Sequence, residues 1–266
     1  MNLRWLYLFL AIVLVLWVLI PIFLIATLAF SDRPSVFAWP KGLLPQQFSL
    51  ETISFFFGVE GVWKAIRNSL TVAAMTLVFS VLLGAPAGYA LARYRFAGAD
   101  AYRLLILITR AFPLAILAIP LAVQFIQVGI YDTAFGVALV HTALALPFAV
   151  LVTSSLFLGI PKELEEAAWT LGCNRIQAFL RVVLPLALPG LAATAIFAFV
   201  ISWNEVFAAT LLTLRERTLP AFLLTSLNDS PLPFRFAGGF FLIVPALIFI
   251  FIIRRYLFTL WGIANR

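Results

Sequence analysis

Residues 160–190 read IPKELEEAAWTLGCNRIQAFLRVVLPLALPG, a charged amphipathic stretch in a chain that is 64% hydrophobic and 11% charged. We call it the elbow segment. No soluble core needs so large an apolar fraction, which indicates that the bilayer is the solvent for most of the chain. A charged segment set between two apolar stretches predicts a contact with something outside the membrane.

Outward from the elbow segment, the charged residues leave long neutral stretches. These are residues 5–31, 68–92, 111–131, 133–161, 182–204 and 236–253. About 20 helical residues at 1.5 Å each cross roughly 30 Å of hydrocarbon. Because backbone polar groups in lipid must be satisfied within a helix, the sequence predicts an all-α, multi-pass membrane protein with six spans. The first stretch exceeds the apolar core of a cleaved signal peptide, so we expect it to be retained as a span.

The expected boundaries follow from the charges and from the Pro and Gly residues. After the first span and a polar outer segment at 31–66, the remaining spans are predicted at about 67–92, 103–128, 134–158, 188–212 and 236–253. Pro113, Pro120, Pro147 and Pro245 fall inside spans and predict kinks. We find no internal repeat that would indicate an inverted-repeat secondary transporter.

The basic residues predict the orientation. Six spans put both termini on one side, and with the termini inside, eleven of the 18 basic residues but only four of the 11 acidic residues are cytoplasmic. Short loops rich in Lys and Arg stay inside, so we expect cytoplasmic termini. The net charge of +7 is then an orientation signal and requires no nucleic-acid partner.

Two classes of chemistry are excluded by residue counts. One cysteine, Cys173, and one histidine, His141, cannot form a disulfide framework or a multi-His or multi-Cys metal site. None of the three lysines (Lys41, Lys64 and Lys162) completes a G-x-x-x-x-G-K phosphate loop. We therefore expect no cofactor and no ATPase motif of this chain's own.

The elbow segment has the residues of a helix, a sharp turn and a second short helix. Pro161 suits a first helical position, and the glutamates that follow favour the positive end of the helix dipole. Gly172 is a natural left-handed stop, and Asn174 is a natural cap for the second helix. Pro185 and Pro189 are expected to break the chain before the fifth span.

The first elbow helix predicts a protein partner. Helical spacing puts Leu164, Ala167, Ala168 and Leu171 on one side, and Glu163, Glu166 and Thr170 on another. The alternative is an interfacial helix lying on lipid headgroups. Such helices favour Lys and Arg, however, and an anionic leaflet repels the three glutamates.

Ionisable residues within spans are functional hypotheses by default. Arg110 either snorkels to the interface or serves as a gate or partner contact, and Glu205 belongs either to the outer rim or to a pathway. His141 makes either a helix–helix hydrogen bond or a ligand contact. The outer half also holds Gln124, Gln127 and Asn204, which together with His141 and Glu205 would suit a polar cavity for sugar hydroxyls.

Two further interpretations stay open. The seven tryptophans are expected to be mostly interfacial anchors, at positions Trp5, Trp17, Trp39, Trp63, Trp169, Trp203 and Trp261. A membrane-embedded enzyme using His141 and Glu205 is the alternative from a different class, although no nucleophile motif or metal set accompanies the pair.

The elbow segment resembles the EAA loop of binding-protein-dependent ABC importer permeases. The resemblance rests on Glu166-Ala167-Ala168, on Gly172, and on Leu184-Pro185-Leu186 with Pro189-Gly190. Further segments resemble the carbohydrate-type, MalG-like branch of that family: Arg67-Asn68-Ser69-Leu70, Gly88–Arg93, Phe112-Pro113 and Trp203-Asn204-Glu205. The chain departs from the family pattern at Leu171, usually Asp, and at Cys173, usually Ala.

The resemblance implies a type I ABC importer (MetI-like) fold, with one permease domain over residues 1–266 of a bacterial inner-membrane protein. The elbow would hold a coupling helix that docks on a separate ATPase, which binds ATP and Mg²⁺. The implied coupling residues are Glu165, Glu166, Ala167, Ala168 and Gly172.

The implied partners are a second homologous permease, a dimeric ATPase and an extracytoplasmic solute-binding protein, which together work by alternating access. The implied cargo is a carbohydrate, which the partner permease could bind in place of this chain. Polyamine, phosphate or another small solute is the alternative cargo.

Overall fold

The computed structural model describes residues 3–40, 42–94, 96–226 and 229–260. Within those ranges the regular structure is helical, with one isolated bridge between Ser31 and Phe48. Lys41, Arg95 and residues 261–266, which include Trp261, lie outside the described residues.

The helices follow one another with short connections. They are α1 (Leu3–Ala29), α2 (Arg33–Phe37), α3 (Glu51–Gly58), α4 (Val62–Arg93), α5 (Ala99–Thr109), α6 (Leu114–Gln127), α7 (Ala134–Leu158), α8 (Glu163–Thr170), α9 (Arg175–Ala178), a π-helical turn (Phe179–Val183), α10 (Leu184–Asn204), α11 (Phe207–Leu212), α12 (Leu219–Ser226) and α13 (Leu232–Leu260).

Among the described residues, five helical stretches are long and apolar enough to cross a membrane: α1, α4, α7, α13 and the continuous stretch from α9 through α10. The pair α5 and α6 makes a sixth, bent by 86° at its break. The all-α, multi-pass prediction is confirmed, but the third span is not a single straight helix. Pro113 has no N–H to donate and disfavours helical geometry at Phe112, so the helix stops and restarts there.

The predicted break at Pro185 and Pro189 is wrong, because α10 runs through both residues. In membrane helices, local π adjustments and neighbouring helices re-satisfy the backbone groups that a proline frees, and here the π-helical turn leads into Pro185 without interruption. The fifth span ends at Asn204, and not near residue 212 as predicted, because Glu205 has extended backbone before α11 begins.

The chain forms two compact units. The first comprises Met1–Lys64 and Phe222–Pro245, and the second comprises Ala65–Ala221 and Ala246–Arg266. An aromatic cluster lies in the first unit, where the ring of Phe56 stacks on Phe241 at 5.4 Å and Phe57 stacks on Trp63 at 4.6 Å. The hydroxyl of Thr52 donates to the Ser31 carbonyl at 2.8 Å and so ties α3 to the residues after α1.

In the second unit, small residues let α4 and α10 approach α7 closely. A Cβ on Gly88 would lie 2.0 Å from Oγ1 of Thr153, and a Cβ on Gly84 would lie 2.8 Å from Cβ of Ala149. A Cβ on Gly190 of α10 would lie 2.1 Å from a δ-methyl of Leu156. Close backbone approach through small residues is how helices associate in lipid, where burial of apolar surface gives little net attraction.

Trp203 is not an interfacial anchor, contrary to prediction. Its side chain is 1% exposed, and its ring stacks on Phe199 with centroids 5.8 Å apart. Trp5, Trp17 and Trp39 are exposed, but Trp17 lies in the middle of α1, away from both ends, where an interfacial anchor would stand.

Candidate functional site

The elbow segment forms the predicted helix, turn and helix. Helix α8 is followed by Gly172, which has a φ of 89°, the left-handed geometry that glycine adopts without steric cost. Asn174 and Gln177 then form a capping box: the Gln177 N–H donates to Asn174 Oδ1 at 2.8 Å, and the Asn174 N–H donates to Gln177 Oε1 at 3.0 Å. Pro161 precedes the helix, whose N-cap is Lys162, and does not occupy its first position.

Most of the apolar side of α8 faces away from the body of the protein. Leu164 and Ala167 are exposed, and Leu171 is 85% exposed. The residues of α8 that turn inward are Glu165 and Ala168. This distribution leaves apolar side chains in solvent beside the exposed Glu166, as a docking surface for another protein requires.

Glu165 does not offer its carboxylate to a partner, which corrects its place among the expected surface contacts. Its oxygens accept hydrogen bonds from the Tyr89 hydroxyl at 2.5 Å and from Nε of Arg93 at 2.5 Å. The Arg93 Nη2 donates to the Ile160 carbonyl at 2.9 Å. The side chains of Arg93 and Glu165 are 8% and 2% exposed, so this is a buried ion pair that joins α8 to the end of α4.

The five predicted coupling residues therefore divide into two groups. Glu166, Ala167 and Gly172 are exposed, and the Glu166 carboxylate lies 3.8 Å from Nζ of Lys162 in a surface pair. Glu165 and Ala168 are buried and hold α8 against the protein.

Sequence reasoning missed the contact role of Tyr89 and Arg93. Both belong to the quoted motif that closes the second span, but their partner lies 72 positions from Arg93 along the chain. No periodicity joins residues so far apart. The Gly84-x-x-x-Gly88 spacing was, by contrast, a readable signal of close helix packing.

His141 and Glu205 lie in contact, with Ser202 as a third member of the cluster. His141 is fully buried; its Nδ1 lies 2.9 Å from Ser202 Oγ and its Nε2 lies 3.0 Å from Glu205 Oε2. The Glu205 carboxylate also accepts from the N–H groups of Ala208 at 2.8 Å and Ala209 at 3.1 Å. The helix–helix hydrogen bond expected of His141 is thus present, and it joins α7 to α10.

The cluster has the residue types of a hydrolytic triad without access for a substrate. Ser202 is 4% exposed and His141 is 0% exposed, so a substrate cannot reach the hydroxyl. In the part of the chain that the structure describes, no group of three His, Cys, Asp or Glu residues is placed to hold a metal ion. The geometry favours helix packing over catalysis.

The other polar candidates are exposed, whereas His141 and Ser202 are buried. Gln124 and Gln127 are exposed on α6, and Arg110 is exposed at the break between α5 and α6. Asn204 is exposed and donates to the Val200 carbonyl of its own helix at 3.0 Å.

Asp132 organises the loop at residues 213–218, which we call the staple loop. Its Oδ1 accepts from the N–H groups of Leu214 at 2.7 Å and of Arg215 and Glu216 at 2.9 Å. The loop and the residue after it are also held by the first turns of α4. Asn68 Nδ2 donates to Glu216 Oε2 at 3.0 Å, and the Leu219 N–H donates to Ser69 Oγ at 2.7 Å.

Comparison with known proteins gives consistent matches. Residues 80–259 match the family model described as "Binding-protein-dependent transport system inner membrane component". The chain is 33% identical over 248 residues to the trehalose transport system permease protein SugB of Mycobacterium tuberculosis, which covers 90% of this chain and 89% of that protein. It is 34% identical over 236 residues to the arabinooligosaccharides transport system permease protein AraQ of Halalkalibacterium halodurans, which covers 85% and 84%.

The fold matches a chain of a solved bacterial ABC transporter involved in the import of the acidic polysaccharide alginate. The TM-score is 0.77 at 23% identity, and the match covers 96% of each chain. At this identity the likeness concerns the fold alone, and it confirms the expected importer permease architecture.

Proposed function

The chain belongs to the family of binding-protein-dependent transport system inner membrane components, and on that premise we propose that it forms half of the translocation pathway of an ATP-driven carbohydrate importer. As a member of that family it is a multi-pass transport subunit of the inner membrane. The carbohydrate cargo is supported by the trehalose and arabinooligosaccharide permeases, each at least 33% identical over most of the chain.

The observation that carries the proposal is the elbow segment with its exposed face. A stiff helix, turn and helix projects Glu166, Ala167 and Leu171 outward, and it joins α7 directly to α10. A separate ATPase dimer that grips this face would bind ATP and Mg²⁺ itself and move both helices as it closes. The result is a rigid-body transition between inward-facing and outward-facing states.

The remaining parts of the proposal concern the whole assembly. We propose that residues 1–266 act as one permease domain with both termini in the cytoplasm. A second homologous permease completes the pathway, and an extracytoplasmic binding protein delivers the cargo. Within the pathway, Gln124, Asn204 and Glu205 are the candidate contacts for sugar hydroxyls, and Arg110 is the candidate gate or partner contact. His141, the fourth residue expected in the pathway, is left out because its side chain is fully buried.

A transport assay tests the cargo class. Cells lacking this chain, and the same cells with it restored, are given radiolabelled trehalose, arabinooligosaccharide, putrescine and phosphate in turn. The proposal predicts that energy-dependent uptake of a carbohydrate requires the chain, whereas uptake of putrescine and of phosphate does not. Restoration of putrescine or phosphate uptake with no effect on any sugar would overturn the carbohydrate assignment and leave the family membership intact.

A further inference from the structure

The elbow segment is held by a third transmembrane helix besides the two that it connects. The chain itself joins the elbow to α7 and α10, whereas the attachment to α4 is made by side chains. Tyr89 and Arg93 both donate to Glu165, and Arg93 also donates to the carbonyl of Ile160, just before α8 begins. The C-terminal end of α4 is therefore hydrogen-bonded to the elbow segment at two positions, Ile160 and Glu165.

This attachment resists displacement because of its burial. Both carboxylate oxygens of Glu165 are engaged, and the Arg93 and Glu165 side chains are nearly excluded from solvent. If α8 moved without α4, a buried carboxylate and a buried guanidinium would each lose their partner, which is strongly unfavourable. Movement of the elbow must therefore carry the end of α4 with it.

The opposite end of α4 is bonded to the staple loop. Asn68 holds Glu216, and Ser69 holds the N–H of Leu219. Between Asn68 and Tyr89 lie 21 helical steps, which correspond to about 31 Å at 1.5 Å per residue. One helix therefore connects the elbow to the staple loop across a distance equal to the hydrocarbon thickness.

We propose that Tyr89 and Arg93 are positioning residues that bind the elbow to α4 through Glu165, and that α4 transmits displacement of the elbow to the staple loop. The proposal rests on the proposed function, because it needs an ATPase that moves the elbow. Besides the covalent connection of the elbow segment to α7 and α10, the elbow segment would then have a second mechanical connection, made by side chains, to α4.

Spin-label distances test the connection directly. A parent variant carries Cys173→Ser, which removes the native cysteine, together with Ala90→Cys on α4 and Leu164→Cys on α8. Its complex is purified through a tag on this chain, spin-labelled at the two new cysteines and reconstituted. Distances are measured without nucleotide and with ATP plus vanadate. The proposal predicts that the distance between the two labels is the same with and without nucleotide. When Glu165→Gln or Tyr89→Phe is added, a second population of label-to-label distances should appear.

A measurement at the staple loop, far from Glu165, distinguishes a positioning role of Tyr89 and Arg93 from a purely stabilising one. Hydrogen exchange of the N–H groups of residues 214–216 should differ between the two nucleotide states, and this difference should be lost in Glu165→Gln. The matched control is Asp100→Asn, the same carboxylate-to-amide change in an exposed pair with Arg103. The Tyr89→Phe variant removes one hydroxyl donor and little volume. If Glu165→Gln reduces the amount of folded protein, the same measurements are made on Tyr89→Phe instead.

Three results would count against the proposal. The proposal is overturned if the distance between residues 90 and 164 already changes with nucleotide in the parent variant. It is also overturned if Glu165→Gln and Tyr89→Phe give the same results as Asp100→Asn. A complex that contains no ATPase would overturn the proposed function and this inference together. With the ATPase present and these variants unaffected, the inference alone fails.

Discussion

Nε2 of His141 on α7 lies 3.0 Å from Oε2 of Glu205, at the point where α10 ends and α11 begins. The carboxylate that receives this contact also receives two backbone N–H groups of α11. A single buried imidazole thus fixes both the packing of α7 on α10 and the start of the next helix.

His141→Leu is therefore expected to destabilise the protein. The substitution keeps an apolar volume but leaves Glu205 and Ser202 without their buried partner, at a cost of roughly 1 to 3 kcal/mol. Thermal unfolding of the purified protein in detergent measures the effect. Asn204→Ala, at an exposed residue that bonds only within its own helix in the described contacts, is the control and should change the midpoint little.

Gly88→Val is expected to disrupt the packing of α4 on α7. The new Cβ would lie 2.0 Å from Oγ1 of Thr153 and 2.7 Å from the Ser154 nitrogen, so the helices must separate. Overpacking of this kind costs typically about 1 to 3 kcal/mol. The yield of folded, detergent-stable protein measures it, with Gly58→Ala as control because no atom lies within 4 Å of a Cβ there. Equal yields for the two variants would contradict the packing account.

Asp132→Ala should release the staple loop. Three backbone N–H groups lose a charged acceptor, and a hydrogen bond to a charged group contributes about 1.5 to 3 kcal/mol to stability. Amide hydrogen exchange at residues 214–216 should accelerate. Asp100→Ala, at an exposed carboxylate, serves as the control, and unchanged exchange in Asp132→Ala would show that the loop is held by other contacts.

Gly172→Ala should weaken the attachment of an ATPase without blocking membrane insertion. A φ of 89° is unfavourable for any residue with a Cβ, by about 1 to 2 kcal/mol. No atom lies within 4 Å of the new Cβ, so the cost is backbone strain and the turn between α8 and α9 must reorganise. The amount of ATPase that co-purifies with the chain measures the effect. Gly239→Ala in α13, where a Cβ meets Ile25 at an ordinary 3.5 Å, should retain it fully.

The parts of the fold that local chemistry determines could be predicted. Charge-free stretches indicated the spans, and Gly172 with Asn174 indicated the elbow turn, because left-handed geometry and helix capping depend on single residues. Contacts between distant residues could not be predicted in the same way. The pairing of Glu165 with Arg93 buries a residue that the resemblance implied for coupling.

Apolar spans also hide which side faces protein. Trp203 lies in a helix that is apolar all round, so periodicity could not distinguish a buried position from a lipid-facing one. Proline was misleading for a related reason. The same residue type stands at the break between α5 and α6 at Pro113 and is accommodated within α10 at Pro185 and Pro189. Neighbouring helices and local π adjustments can re-satisfy the backbone groups that a proline frees in a membrane helix.

Photo-cross-linking from position 167 in native membranes tests the central claim most directly. A photoreactive amino acid replaces Ala167 on the exposed face of the elbow, and the control carries it at Ile119, which is 73% exposed on the apolar helix α6. The account predicts an adduct at position 167 with a protein that carries a nucleotide-binding phosphate loop, and no such adduct from position 119. Adducts at position 167 with phospholipid alone would contradict it.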